Sequence, residues 1–103
     1  MKFAQKADNY YYLIKDDIEY GGFKIDLLDD IKLDIFVNEQ YRGNGYGKLI
    51  FISAMNYLKE KGYSKINANL KHSDYIISRI ITNYGAHKIS KNDNEIQFII
   101  PIK

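Results

Sequence analysis

The chain has 103 residues and a net charge of +2, with 46% hydrophobic and 27% charged residues, a composition expected of one soluble globular domain over residues 1–103 and too short for two. It contains no cysteine, which excludes disulfides, thiolate zinc sites and a cysteine nucleophile. Fifteen basic against thirteen acidic residues are too evenly matched for the strong field that would mark a nucleic-acid or anionic-membrane binder. No apolar run near Met1 has signal-peptide length, and none approaches the roughly eighteen residues of a membrane span. A cytoplasmic protein is expected.

Residues 9–14 include Tyr10-Tyr11-Tyr12-Leu13-Ile14, an aromatic and β-branched run that favours a strand, and Lys15-Asp16-Asp17 reads as the turn after it. A second strand follows over 18–28, with Gly21-Gly22 inside it as a bulge or bend, and Asp29-Asp30 closes it. Over 31–37 the alternation puts Ile31, Leu33, Ile35 and Val37 on one face and Lys32, Asp34 and Phe36 on the other. The period then turns helical. Ile50, Ala54, Tyr57 and Leu58 share one face of a helix predicted over 46–61, Leu49, Phe51, Ile52 and Met55 make a second face apolar, and Gly62 stops it. Such a helix packs against a sheet and a neighbouring element together. A strand over 64–70 comes next, and strand, helix, strand in that order implies a parallel pair with a right-handed crossover. Ser73-Asp74 offers an N-cap for a helix over 75–83 that ends at Gly85. Strands over 86–90 and 95–102, joined at Lys91-Asn92-Asp93-Asn94, close the chain as a hairpin with Pro101 at its end. The expected fold is α/β of the α+β kind: a mixed, mostly antiparallel sheet with one parallel step in the middle, and two main helices.

The informative segment is Val37-Asn38-Glu39-Gln40-Tyr41-Arg42-Gly43-Asn44-Gly45-Tyr46-Gly47-Lys48, where three of seven glycines fall within five residues between a strand and a helix. Unpaired N–H groups at a helix start, the helix dipole and missing Cβ atoms together make a site for a diphosphate. A P-loop is excluded, because Gly47-Lys48 is followed by Leu49 and not by Ser or Thr. The dinucleotide fingerprint Gly-x-Gly-x-x-Gly is also missed, since Gly43, Gly45 and Gly47 are spaced two apart. Arg-x-x-Gly-x-Gly does fit, as Arg42-Gly43-Asn44-Gly45-Tyr46-Gly47. Arginine is rare here, with only Arg42 and Arg79 against thirteen lysines.

With these residues in this strand, loop and helix context, the sequence resembles the GNAT superfamily of acetyl-coenzyme A dependent N-acetyltransferases over roughly residues 31–88. The resemblance implies a single-domain GNAT-like fold in which the strand before the loop splays from the strand after the helix. It implies that Arg42, Gly43, Asn44, Gly45, Tyr46, Gly47 and Lys48 hold the pyrophosphate of acetyl-CoA, mostly through main chain. Backbone near Phe36 and Val37 would bind the pantetheine arm and thioester carbonyl, with a backbone N–H for the oxyanion. Asn69, Leu70 and the helix start at Ser73-Asp74 would border the same wedge. A fuller member has a first strand and two helices before the antiparallel strands. Here about nine residues precede the first predicted strand, so that cover is expected to be missing or a stub, and the open acceptor side suits a protein lysine or N-terminus better than an enclosed small amine.

Acyl transfer needs a base for the attacking amine and a proton for the leaving thiolate. Many family members place a tyrosine four residues before the glycine that ends the second helix; here that position is Ile81, although some N-terminal and ribosomal-protein acetyltransferases also have an aliphatic residue there. Tyr84, beside the turn, is the substitute candidate, with a packing role as its other reading, and Tyr75 at the helix start carries the same two readings. Asp34 and Glu39 are the candidate bases, with Asp26 and Asp29 behind them and plain surface carboxylates as the alternative. His72 reads as a polar loop histidine, and two histidines without a supporting cluster make no metal site. Lysines and tyrosines near the N-terminus suggest single-strand stacking, but the three consecutive tyrosines alternate in direction, so strand packing is the better account and a nucleic-acid partner is not expected. Exposed edges of a small sheet leave room for a homodimer. Two functional readings stand: an N-acetyltransferase working by direct attack in a ternary complex, and a catalytically weak or inactive GNAT-fold binding module acting through protein contacts.

Overall fold

The computed structural model describes residues 2–27, 32–71 and 75–103. Strands β1 (Lys2–Ala7), β2 (Tyr10–Lys15), β3 (Ile18–Asp26) and β4 (Lys32–Val37) form an antiparallel sheet in chain order. A 3-10 turn (Glu39–Tyr41) leads into α1 (Tyr46–Glu60), followed by β5 (Lys65–Lys71), α2 (Tyr75–Tyr84), β6 (His87–Lys91) and β7 (Glu95–Pro101). The last three strands make a second antiparallel sheet with β7 in its middle. The fold is thus the expected α+β kind, with antiparallel sheets and two helices. The turn expected at Asp29-Asp30, the strand start at Ile31, His72 and the N-cap at Ser73-Asp74 lie outside the described residues.

One strand was not legible in the sequence. Lys2–Ala7 carries a single large apolar residue, Phe3, yet it pairs along β2 from Lys2 opposite Ile14 to Ala7 opposite Tyr10. The tyrosine run is therefore the second strand, and Asp8 and Asn9 alone turn the chain between the two. Asn9 accepts a left-handed φ of 59° there, as asparagine does more readily than most residues. Where the resemblance implies two helices after a first strand, this chain has a two-residue turn. Across the next hairpin Asp16 and Asp17 both have positive φ, 53° and 63°, the geometry a tight hairpin loop demands.

α1 is apolar on two sides because it is covered on two sides. Ile50, Ala54 and Leu58 are fully buried, and so are Phe51 and Met55. On one side the Tyr57 ring meets Tyr11 and Phe23 of the first sheet at 5.1 and 5.8 Å. On the other, Phe51 meets Tyr84 of α2 edge-on at 5.1 Å. Gly62, at φ +91°, ends the helix, with the Tyr63 amide donating back to the Leu58 carbonyl at 3.1 Å, the bond pattern of a glycine C-cap. Ile66 and Ala68 of β5 and Phe98 and Ile100 of β7 join the same buried cluster.

β4 and β5 lie side by side, but no ladder joins them among the described residues. The parallel step expected from strand, helix and strand is a splayed pair. That gap and the loop leading into α1 define the region of interest.

Candidate cofactor-binding loop

The loop begins where β4 is fastened to a bulge in β3. Pairing runs Leu13 to Gly21 and then Ile14 to Glu19, so Tyr20 is the extra residue, one position before the expected Gly21-Gly22 irregularity. A bulge re-aims the side chain it carries. The Tyr20 ring packs on Tyr41 at 4.4 Å and on Tyr46 at 5.1 Å, one from each side of the loop. Asn38 completes the fastening: its amide donates to the Tyr20 carbonyl at 2.9 Å and its Nδ2 to the Glu19 carbonyl at 2.6 Å. Tyr20 and Tyr41 were not singled out by sequence reasoning, because nothing local in a tyrosine-rich chain reveals that residues more than twenty positions apart share one cluster.

Within the loop, the side chains that point inward stabilise the turn itself. Arg42 Nε donates to the Val37 carbonyl at 3.1 Å, which leaves the two terminal nitrogens of its fork for an anion. Asn44 Nδ2 donates to the Tyr41 carbonyl at 3.1 Å. Gly43 and Gly45 hold φ of 84° and 82°, and an added Cβ on either would meet nothing within 4 Å. These two glycines are needed for their backbone angles and face open space. Gly47 differs. Its Cβ would make ordinary contact with Ile80 and Ile77 of α2 and with Val37, at 3.5 to 3.8 Å, so it sits where α2 closes against the helix start.

Gly45 is the N-cap of α1, no side chain caps it, and the first turn holds no acidic residue. The first intrahelical bond comes from the Leu49 amide to the Gly45 carbonyl, at 3.3 Å. Hence the amides of Tyr46, Gly47 and Lys48 precede it as donors without intrahelical partners, at the positive end of the helix dipole. Lys48 is exposed on that first turn. The donor set suits a diphosphate: several backbone N–H groups, one arginine fork and one lysine, with no carboxylate in the first turn.

On the wall leading into the gap, the Asn38 amide points to β3. Strand alternation then turns the Val37 amide the other way, toward β5. Phe36 is half-buried on the sheet face away from α1, its ring edge-on to Tyr10 at 6.0 Å. Asn69 lies in β5 opposite Gln97; Asp74 falls outside the described residues.

The candidate catalytic residues are not gathered in one place. Glu39 is exposed at the head of the 3-10 turn, beside the loop. Asp34 is exposed in mid-strand opposite Lys24, on the face away from α1. Tyr84 is at the far end of α2, packed on Phe51, and its hydroxyl accepts the Lys103 amide at 2.9 Å. Ile81, which stands where many family members have the tyrosine, is 1% exposed in the core. Among the described residues no group of three or more His, Cys, Asp or Glu is placed to hold a metal, and no helix is long and apolar enough to cross a membrane.

One titration follows from the tyrosine cluster. Desolvation raises the Tyr20 phenol above its ordinary value of 10.0, helped by Tyr46, Tyr41 and Asp16. A raised acid contributes stability that is complete below the unfolded pKa and fades as pH climbs through the folded one. Ultraviolet titration of the folded chain should therefore contain a tyrosine step above the ordinary value of 10.0, and Tyr20→Phe should remove it. If that step survives the substitution, the cluster does not shield this ring.

The family model for the acetyltransferase (GNAT) family matches residues 2–75, and no curated protein matches the chain in sequence. Among solved structures, the alanine N-acetyltransferase of a ribosomal protein from Escherichia coli superposes with a TM-score of 0.78 at 16% identity, over 95% of this chain and 72% of that one. The IAA acetyltransferase from Bacillus cereus gives 0.78 at 16% identity, over 89% and 76%. PaiA N-acetyltransferase from Thermoplasma acidophilum, solved with coenzyme A, gives 0.77 at 12% identity, over 89% of this chain and 59% of that one. At such identities the structural likeness speaks for the fold, while the family model spans most of the chain, including the glycine loop. The chain belongs to the GNAT family of acetyl-CoA dependent N-acetyltransferases.

Proposed function

We propose that the chain transfers the acetyl group of acetyl-CoA to an amine on a protein, a lysine or an N-terminus, by direct attack in a ternary complex. The observation that carries this reading is the uncapped start of α1, preceded by two left-handed glycines whose Cβ positions face open space. In this reading Arg42 through Lys48 hold the pyrophosphate, with Phe36, Val37, Asn69 and Asp74 along the wedge. The Val37 amide, turned toward the gap, is the donor that would stabilise the oxyanion as the amine nitrogen bonds to the thioester carbon. Carbon–sulfur cleavage then releases a thiolate that takes up a proton. Glu39, exposed beside the loop, is the carboxylate to accept the amine's proton, directly or through water, with Asp34 the second choice. Tyr84 accepts a hydrogen bond from Lys103 and keeps its own proton to give, which makes it the phenol to test as the acid.

Support for a protein acceptor comes from the short turn at Asp8 and Asn9, which leaves the acceptor side without two helices. The buried Ile81 favours a second reading, a chain that binds acetyl-CoA yet acts mainly by contact with another protein. Calorimetric titration with acetyl-CoA, followed by a thiol-release assay over peptides with free lysines or N-termini and a panel of small amines, separates these. Binding with turnover on peptides is the expected result. Binding without turnover on any acceptor supports the contact module, and no binding at all sinks both. A cytoplasmic location goes with this reading.

A further inference from the structure

The first sheet has two faces, and α1 covers one of them. Among the described residues no helix lies on the other. That face carries a row crossing all four strands: Lys6, Tyr10, Lys24 and Asp34. Register places Tyr10 opposite Lys24 and Lys24 opposite Asp34. Lys6 sits at the irregularity in β1, and its Nζ lies 5.4 Å from the Tyr10 ring centre and 5.9 Å from that of Tyr12; it is also 3.9 Å from Glu19 Oε1. Lys24 Nζ is 5.3 Å from the Tyr10 ring centre. The neighbouring row runs Ala4, Tyr12, Gly22 and Phe36, and the Phe36 ring leans over Gly22. Along this row charge is ordered: lysine on β1, carboxylate on β4, with Tyr10 and Lys24 between.

We propose that this face is the interface of an isologous homodimer, two copies packed sheet to sheet about a twofold axis that runs along the strands between β2 and β3. Such an axis reverses strand order, so β1 of one copy lies over β4 of the other. The row then meets its own reversal. Lys6 comes opposite Asp34 of the other copy, and Tyr10 opposite Lys24, giving two ion pairs and two cation–π pairs per dimer; in the dimer Asp34 is taken up by its pair, which leaves Glu39 as the base. In the next row Ala4 comes opposite Phe36, a small residue against a large one. A twofold axis across the strands would instead set Lys6 against Lys6 and Asp34 against Asp34. Within this row the order of charges favours the first arrangement, and the carboxylates Asp34 and Glu19 stand against a polyanion as the occupant.

Sedimentation velocity over a micromolar concentration series should show the mass doubling as concentration rises. Lys6→Asp and Asp34→Lys should each weaken the dimer about 10-fold or more, and the double variant, with both pairs reversed, should regain most of the loss. Circular dichroism identifies any variant that fails to fold. Carbodiimide coupling of the wild-type chain gives a reading that needs no variant: the covalent dimer should contain a Lys6–Asp34 link. A monomer at every concentration overturns the proposal, as do covalent dimers linked only elsewhere, folded charge variants that dimerise like wild type, or a folded double variant without rescue. A single-stranded oligonucleotide that binds a monomeric chain through Tyr12 overturns it in favour of a different occupant.

Discussion

Gly45→Glu should lower affinity for acetyl-CoA by about 100-fold or more while leaving the chain folded. The two halves of that expectation have separate causes. Folding survives because a Cβ at position 45 would meet no heavy atom within 4 Å, so the only penalty is the left-handed φ of 82°, on the order of 1–2 kcal/mol for a residue with a side chain. Binding does not survive, because the new carboxylate stands at the uncapped helix start where a diphosphate needs backbone N–H groups and no competing anion. Gly45→Ala separates strain from charge and should weaken binding far less. Gly47→Ala should bind nearly as wild type, since its Cβ would make only ordinary contacts with Ile80, Ile77 and Val37. Calorimetric titration of the three variants checks this order. Unchanged affinity in folded Gly45→Glu would remove the loop from the cofactor site.

This graded behaviour of three evenly spaced glycines also marks how far sequence carries. Their spacing after an alternating strand and before a helical period located the loop, and the helix boundaries at Tyr46 and near Gly62 and Gly85 came from local signals that the backbone obeys: the two later glycines have φ of 91° and 130°. Local signals failed where tertiary pairing decides. Lys2–Ala7 has one large apolar residue, and it is a strand because β2 offers it an edge. Strand alternation correctly kept the three tyrosines from sharing a face, yet it said nothing of what lies over each face. Tyr11 is packed between Phe23 and Tyr57, whereas Tyr10 lies on the bare side beside Phe36. Which tyrosines anchor the loop was likewise hidden, because the contact of Tyr20 with Tyr41 and Tyr46 depends on a bulge whose exact residue only the pairing reveals. The candidate catalytic residues were the least legible: Asp34 lies in mid-strand on the face away from α1 and Glu39 in the turn beyond the strand, and a placement of that kind decides chemistry more than residue type does.

Gly21→Ala should destabilise the chain by roughly 3 kcal/mol or more, read as a lower midpoint in urea. The added methyl would collide with the Phe36 carbonyl oxygen and come within 2.9 Å of the Val37 Cα and 3.0 Å of the Ile50 Cδ1. Two of these are backbone atoms of β4, which cannot rotate away, and the third is a fully buried side chain of α1. Relief therefore requires β4 or α1 to shift as a unit, against a core packed too densely to absorb it. Gly62→Ala is the control: its Cβ would meet nothing within 4 Å and it bears only the strain of φ 91°, so its loss should stay near 1–2 kcal/mol. The two variants should also part on function. Gly21 adjoins Tyr20, whose contacts with Tyr41 and Tyr46 hold both ends of the loop, so a displaced β4 loosens the loop and lowers acetyl-CoA affinity even in the folded fraction. Gly62, at the opposite end of α1, should leave affinity unchanged. Equal stability of the two variants would show that β3, β4 and α1 are not in tight three-way contact at Gly21, and equal affinity would show that the loop does not depend on it.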